Sequence, residues 1–221
     1  VGADDVSVFH ALLQAVLSRK ASLVSPVEIT DMAELPSGVA LATRKGEVLV
    51  AGHAVFCTGY EHLPQMKTKS HHVTSTWALA SQPMAGLPEW MKETIVWEAA
   101  DPYLYFRTDE TGRIIAGGED EDASDANADP KKLARKAKAI AGELHDLTGV
   151  RIGRPAYSWS APFSVTDDGL PIIDRVPGFG RCFAVMGFGG NGITFSVIGA
   201  QVVAAAIAGR PDPDAELFRY R

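Results

Sequence analysis

Residues 181–196 read RCFAVMGFGGNGITFS, and the order of chemistry in that stretch decides the fold. Residues 182–186 (CFAVM) predict an apolar strand, and GFGGNG follows at once. A helix is then predicted from about Ile193 to Ala208, stopped by Gly209 and Pro211. Gly187, Gly189 and Gly192 satisfy the G-x-G-x-x-G spacing after a strand and before a helix, the context in which backbone N–H groups and the positive helix end cradle electron-rich groups. An ordinary dinucleotide-binding unit needs a further parallel strand after the helix, ending in an acid for the ribose. Here only RPDPDAELFRYR follows. What stays is a glycine-rich turn at a helix N-terminus, with a purely close-packed turn as the structural alternative.

Upstream, residues 5–15 carry Val8, Leu12 and Leu13, with Val16 just beyond, at helical spacing with acids at the front, which predicts a helix. Short β-rich runs at 23–29, 38–43, 47–50 and 53–58 are separated by turn signals, and the last predicts a strand buried on both faces. From Lys67 the texture becomes alternating, with runs at 73–81, 94–97, 103–108 and 113–116, and predicts an antiparallel sheet. Glu119 to Asp125 packs five acids into seven residues and reads as a solvated connection. Asp129-Pro130 then opens a helix whose apolar stripe is Leu133, Ala137, Ile140, Leu144 and Leu147, with a solvated basic face and Gly149 as terminator. An extended run at 157–165 completes the pattern. The predicted class is mixed α/β (α+β).

With 221 residues, 46% hydrophobic and 22% charged, the chain is neither a mini-protein nor disordered. A net charge of −6 disfavours nucleic acid as a partner. The longest apolar stretch, 197–208, is about half a bilayer crossing, so no membrane span is expected. Cys57 and Cys182 lie far apart in apolar runs and read as two buried free thiols, which fits a reducing cytoplasm. His53, His62, His71 and His72 do not complete a metal-ligand spacing, and no metal site is assigned.

The stretch TDDGLPIID (166–174), followed by RCFAVMGFGGNGITFS and a small-residue helix ending at Gly209, resembles the C-terminal signature of the flavoprotein superfamily of D-amino-acid oxidase, glycine oxidase and sarcosine oxidase. AVFCTGY (54–60) is similar to that family's strand ending in an A-T-G-like turn. YLYFRTDETGRIIAGGEDED (103–122) is similar to its substrate-domain hairpin, and SPVEIT (25–30) to its strand beside the adenine. The resemblance implies a partial FAD-binding domain at 1–66 and 156–221 flanking an antiparallel substrate domain at 67–155. It implies FAD-dependent oxidation of a C–N bond in a small-molecule amine or amino acid. Nothing before Val1 supplies the family's N-terminal glycine-rich FAD motif, so the chain is expected to be a C-terminal portion that binds FAD weakly and is inactive by itself.

By the same resemblance Val27, Thr58 and Gly59 are candidate cofactor contacts, as are Gly187, Gly189, Gly190, Asn191, Gly192, Ile193 and Thr194 beside the flavin. Where sarcosine-oxidase-like members carry the cysteine that tethers flavin, this register gives Ala161, so FAD is expected to be noncovalent. Phe163 and Thr194 stand where relatives offer a cationic substrate anchor, which leaves Arg107 as the candidate replacement. Tyr103, Tyr105 and Arg107 fall at period two and share one strand face; Tyr105, Arg107 and Trp159 are the candidate catalytic residues. Oxidase and dehydrogenase chemistry stay open. The alternative of a different class is a noncatalytic binding or assembly subunit, or an isolated domain, that keeps the fold without flavin chemistry.

Overall fold

The computed structural model describes residues 5–210 and 212–221, with side chains from Ser7 onward. In chain order the elements are α1 (Asp5–Ser18), β1 (Ile29–Leu35), β2 (Gly38–Thr43), β3 (Val48–Ala51), β4 (Ala54–Phe56), β5 (His71–Ala80), α2 (Glu89–Glu93), β6 (Ile95–Trp97), β7 (Leu104–Thr108), β8 (Ile114–Glu121), α3 (Pro130–Thr148), β9 (Tyr157–Thr166), β10 (Ile172–Arg175), β11 (Cys182–Met186) and α4 (Gly192–Ile207). The acidic side chains expected at the front of α1 and the Pro211 stop expected after α4 lie outside what is described. The chain divides into one unit of residues 1–25 and 75–162 and a second of residues 26–74 and 163–221.

The first unit is built on a five-stranded sheet in the order β6-β7-β8-β5-β9. The β6–β7, β7–β8 and β5–β8 pairs are antiparallel. Trp77, Leu79, Leu104, Phe106, Ile114 and Ala116 on one sheet face pack against Ala137, Ile140 and Leu144 of α3. The ends of α3 form as its sequence dictates: the Asp129 carboxylate caps the Lys131 amide, and Gly149 turns left-handed with φ 73°. The stripe of α1 departs from expectation, since Val8, Leu12 and Val16 are exposed among the described residues.

In the second unit the β10-β11-β4 sheet lies between two layers. Ile173, Phe183 and Val185 meet Val202 and Val203 of α4, while Ile172, Cys182, Ala184 and Met186 meet Met32 of β1 and Val39 of β2. Every residue of β11 is therefore buried. Strand β11 runs parallel to β4 and antiparallel to β10.

Three expectations are corrected. Residues 23–29 do not form a strand; β1 begins at Ile29, because Pro26 interrupts the apolar run and the more polar ITDMAEL pairs with β2. Strand β4 is not buried on both faces: Val55 is 44% exposed between buried Ala54 and Phe56. Cys57, just past that strand, is exposed, while Cys182 is buried; both are free thiols.

Candidate functional site

Because β4 and β11 are parallel neighbours, the chain leaves both at the same sheet edge, and both exits are glycine turns. After β4 come Thr58 and Gly59, the latter at φ 68°. After β11 come residues 187–192, with Gly187 at φ 77° and Gly189 at φ 55°. Ser164 of β9 ties the turns together: its carbonyl accepts from the Gly189 amide at 2.8 Å, and its hydroxyl donates to the Gly59 carbonyl at 3.4 Å. The structure thus brings Thr58, Gly59 and residues 187–194 to one place.

Gly187 is required twice over. Its backbone is left-handed, and an added Cβ would stand 2.8 Å from Thr166 Cγ2 and 3.6 Å from His71 Cδ2. Gly190 and Gly192 differ, since a Cβ on either would meet nothing within 4 Å. Those positions border open space. Asn191 stands at the N-cap of α4 without a side-chain capping bond, so the Gly192, Ile193 and Thr194 amides, the first of the helix, have no internal acceptor. Beside the turn, the His62 and His71 rings stack edge-to-face at 4.7 Å. Burial, followed by the charges of His62 and His72, pulls His71 down to about 4. Among the described residues its buried Nε2 has no hydrogen-bond partner. Open glycines, free helix-end amides and an orphaned ring nitrogen suit a polar, electron-rich ligand, and FAD with its carbonyl-bearing ring fits that description.

Val27 and Thr58 line an open cleft of about 750 Å³ within the same unit, with the Glu28–Arg44 ion pair, Glu61 and His62 also on its walls. Val27 lies just ahead of β1 rather than on a strand. Among the described residues no group of three or more His, Cys, Asp or Glu side chains is placed to hold a metal ion, and no helix is long and apolar enough to cross a membrane.

The remaining candidates lie in the first unit. Tyr105 and Arg107 on β7 share the sheet face opposite α3. Trp159 on β9 points the same way, because its neighbour Ser160 donates to the Asn127 carbonyl on the helix side. It is three strands away in the sheet order, about 14 Å across. Arg107 has no acidic partner among the described residues. The Tyr105 ring lies over Gly117, where an added Cβ would stand 2.3 Å from its hydroxyl oxygen. Burial, then the Asp120 charge, raises the Tyr105 phenol, and burial with the Asp120 hydrogen bond raises Tyr103 still further.

Sequence reasoning missed Asp120. Strand β8 carries a bulge where the β5 register shifts, with Gly118 at φ 144° and Glu119 at φ 59°. The acidic run is consequently not a uniform solvated connection. Lys136 Nζ donates to Glu119 Oε2 at 2.8 Å and pairs with Glu121 at 3.2 Å, and Lys132 also pairs with Glu121. Asp120 faces the other way and accepts from the Tyr103 hydroxyl at 2.7 Å. The Gly117-Gly118 pair inside a strand pattern was the available signal.

Paired glycine loops at the carboxyl ends of parallel strands define a cofactor-binding α/β protein. The profile of the FAD dependent oxidoreductase family (DAO) matches residues 2–206, and the chain belongs to that family. A search of curated proteins found no match. Among solved structures, glycine oxidase from Geobacillus kaustophilus superposes with TM-score 0.74 at 20% identity, over 96% of this chain and 56% of that one. L-proline dehydrogenase from P. horikoshii gives 0.77 at 19% identity, over 98% and 59%. Iminodiacetate oxidase from Chelativorans sp. BNC1 gives 0.69 at 15% identity, over 96% and 57%. The chain spans a little over half the length of these proteins, and at such identities the likeness is one of fold.

Proposed function

We propose that this chain is part of an FAD-dependent oxidoreductase that oxidises the C–N bond of a small amine or amino acid. The observation that carries the reading is the convergence of Thr58–Gly59 and the 187–194 turn at one sheet edge, with unfilled amides at the start of α4. FAD, when bound, supplies the two-electron acceptor for that oxidation. The chain's part is to place it. The Gly192, Ile193 and Thr194 amides would hold negative charge on the ring, and the positive end of α4 favours the same charge. Gly190 and Gly192 leave the ring room, and Val27 with Thr58 would receive the adenosine end in the cleft. No cysteine stands at Ala161, which supports noncovalent attachment. Arg107 would anchor a substrate carboxylate, and Tyr105 and Trp159 would wall the substrate space.

The test is direct. The purified chain, titrated with FAD, should take up the cofactor and show a protein-bound flavin spectrum, weakly if further cofactor contacts belong to a longer parent. Amines and amino acids offered with an artificial electron acceptor then define the substrate. A chain that neither binds FAD nor turns over any amine would favour a noncatalytic role.

A further inference from the structure

Asp120 is a carboxylate without a countercharge. The lysines of α3 engage its neighbours Glu119 and Glu121 on the helix side of the sheet, and among the described residues no Lys, Arg or His pairs with Asp120. One of its oxygens accepts from Tyr103, while the other, Oδ1, is buried with no partner among the described residues. A buried anionic oxygen left in this way is costly unless something positive reaches it.

The surroundings suit a cation. The Tyr103 ring is 6.2 Å from that of Tyr105 and 6.1 Å from that of Trp97. Gly117 lets Tyr105 lie close against the sheet. Aromatic rings attract ammonium groups through their negative faces, and the attraction grows when a carboxylate is near. Arg107 does not fill the place: among the described residues it makes no ion pair with Asp120, and its Cα lies four residues of extended chain, about 13 Å, beyond that of Tyr103.

We propose that Asp120, Tyr103, Tyr105 and Trp97 form a subsite for an alkylammonium group of the substrate. The inference rests on the amine-oxidising reading and narrows it. A nitrogen undergoing C–N oxidation must be neutral, because its lone pair has to stabilise the carbon as the C–H bond breaks. The group held by Asp120 is therefore a second, unreacting ammonium, and the substrate class is a diamine or a derivative of one.

The test is calorimetric titration of the 221-residue chain with 1,4-diaminobutane and with butylamine, against butanol and butyrate as neutral and anionic controls. Both amines should bind saturably and butanol should not, while any butyrate binding, which Arg107 would provide, should be unchanged in Asp120→Asn. Asp120→Asn, which keeps an acceptor for Tyr103, should weaken amine binding by about tenfold or more. Trp97→Leu, at a side chain 66% exposed, should weaken it several-fold without disturbing the fold. Absence of saturable diamine binding, or equal affinity in Asp120→Asn folded normally by circular dichroism, would overturn the proposal. Amine binding by a chain that takes up no FAD would sustain the subsite and defeat the redox reading; FAD uptake without amine binding would do the reverse.

Discussion

Gly187 and Gly190 sit three residues apart in one turn and answer to different forces. Gly187→Ala places a methyl against Thr166 and strains a left-handed backbone, so it should cost about 1–3 kcal/mol of stability in urea denaturation. Gly190→Ala points its methyl into open space; stability should hold within about 0.5 kcal/mol while FAD affinity falls. Loss of stability in both variants would mean that the turn serves packing alone. Arg107→Ala should lower kcat/KM for carboxylate-bearing substrates by about 10–100-fold, with neutral amines changed little. Equal losses on both would remove its role as an anchor. These residues were legible because glycines after an apolar strand and a period-two Tyr-Tyr-Arg are local patterns. Asp120 was not, because its direction depends on a bulge set by the pairing of β8 with β5.

At the scale of elements, α3 is fastened to β8 by charge as well as by its apolar stripe. Lys136 pairs with Glu119 and Glu121, and its ammonium lies 4.8 Å from the Trp77 ring centroid. Lys136→Ala should destabilise by about 1–3 kcal/mol, because it leaves the Glu119 carboxylate without its cation, while Glu121 keeps Lys132. Glu143 on the same helix titrates near 7 instead of 4.5; burial disfavours its charge first, and Glu119 both bonds and repels it. The folded protein holds a proton there that the unfolded chain gives up at lower pH, so this contribution to stability declines as pH rises from about 4.5 to 7. Glu143→Gln should remove that decline. With solvent screening it should raise Tm at pH 8 by about 2–4 °C, equivalent to about 1 kcal/mol, and leave Tm unchanged at pH 4. The helix itself was readable from its caps and from its stripe except at Leu147, which lies in the last turn and is exposed; β11 was readable from its apolar run. The pairing of its basic face was not, since the acids come from a strand earlier in the chain. Strand β1 was hidden for a related reason: ITDMAEL reads as polar, and only the partnership with β2 makes it extended.

At the scale of the molecule, the two units have separate cores, with Trp77, Leu104 and Ile140 in one and Ile172, Cys182 and Val203 in the other. All four tryptophans, residues 77, 90, 97 and 159, belong to the first unit, and both cysteines to the second. Nature has thereby labelled each unit with its own reporter. Tryptophan fluorescence and the reactivity of Cys182 should give denaturation curves with different midpoints, whereas coincident curves would show that the units unfold together. Native protein should expose one thiol to a disulfide reagent, that of Cys57.

The irregularity at Gly118–Glu119 carries a warning for anyone comparing sequences. Four consecutive acids, residues 119–122, align almost equally well when slid by a single position. A gap misplaced by that much exchanges a carboxylate fastened to lysine for one awaiting a guest, and transfers the wrong chemistry between proteins while the score barely changes.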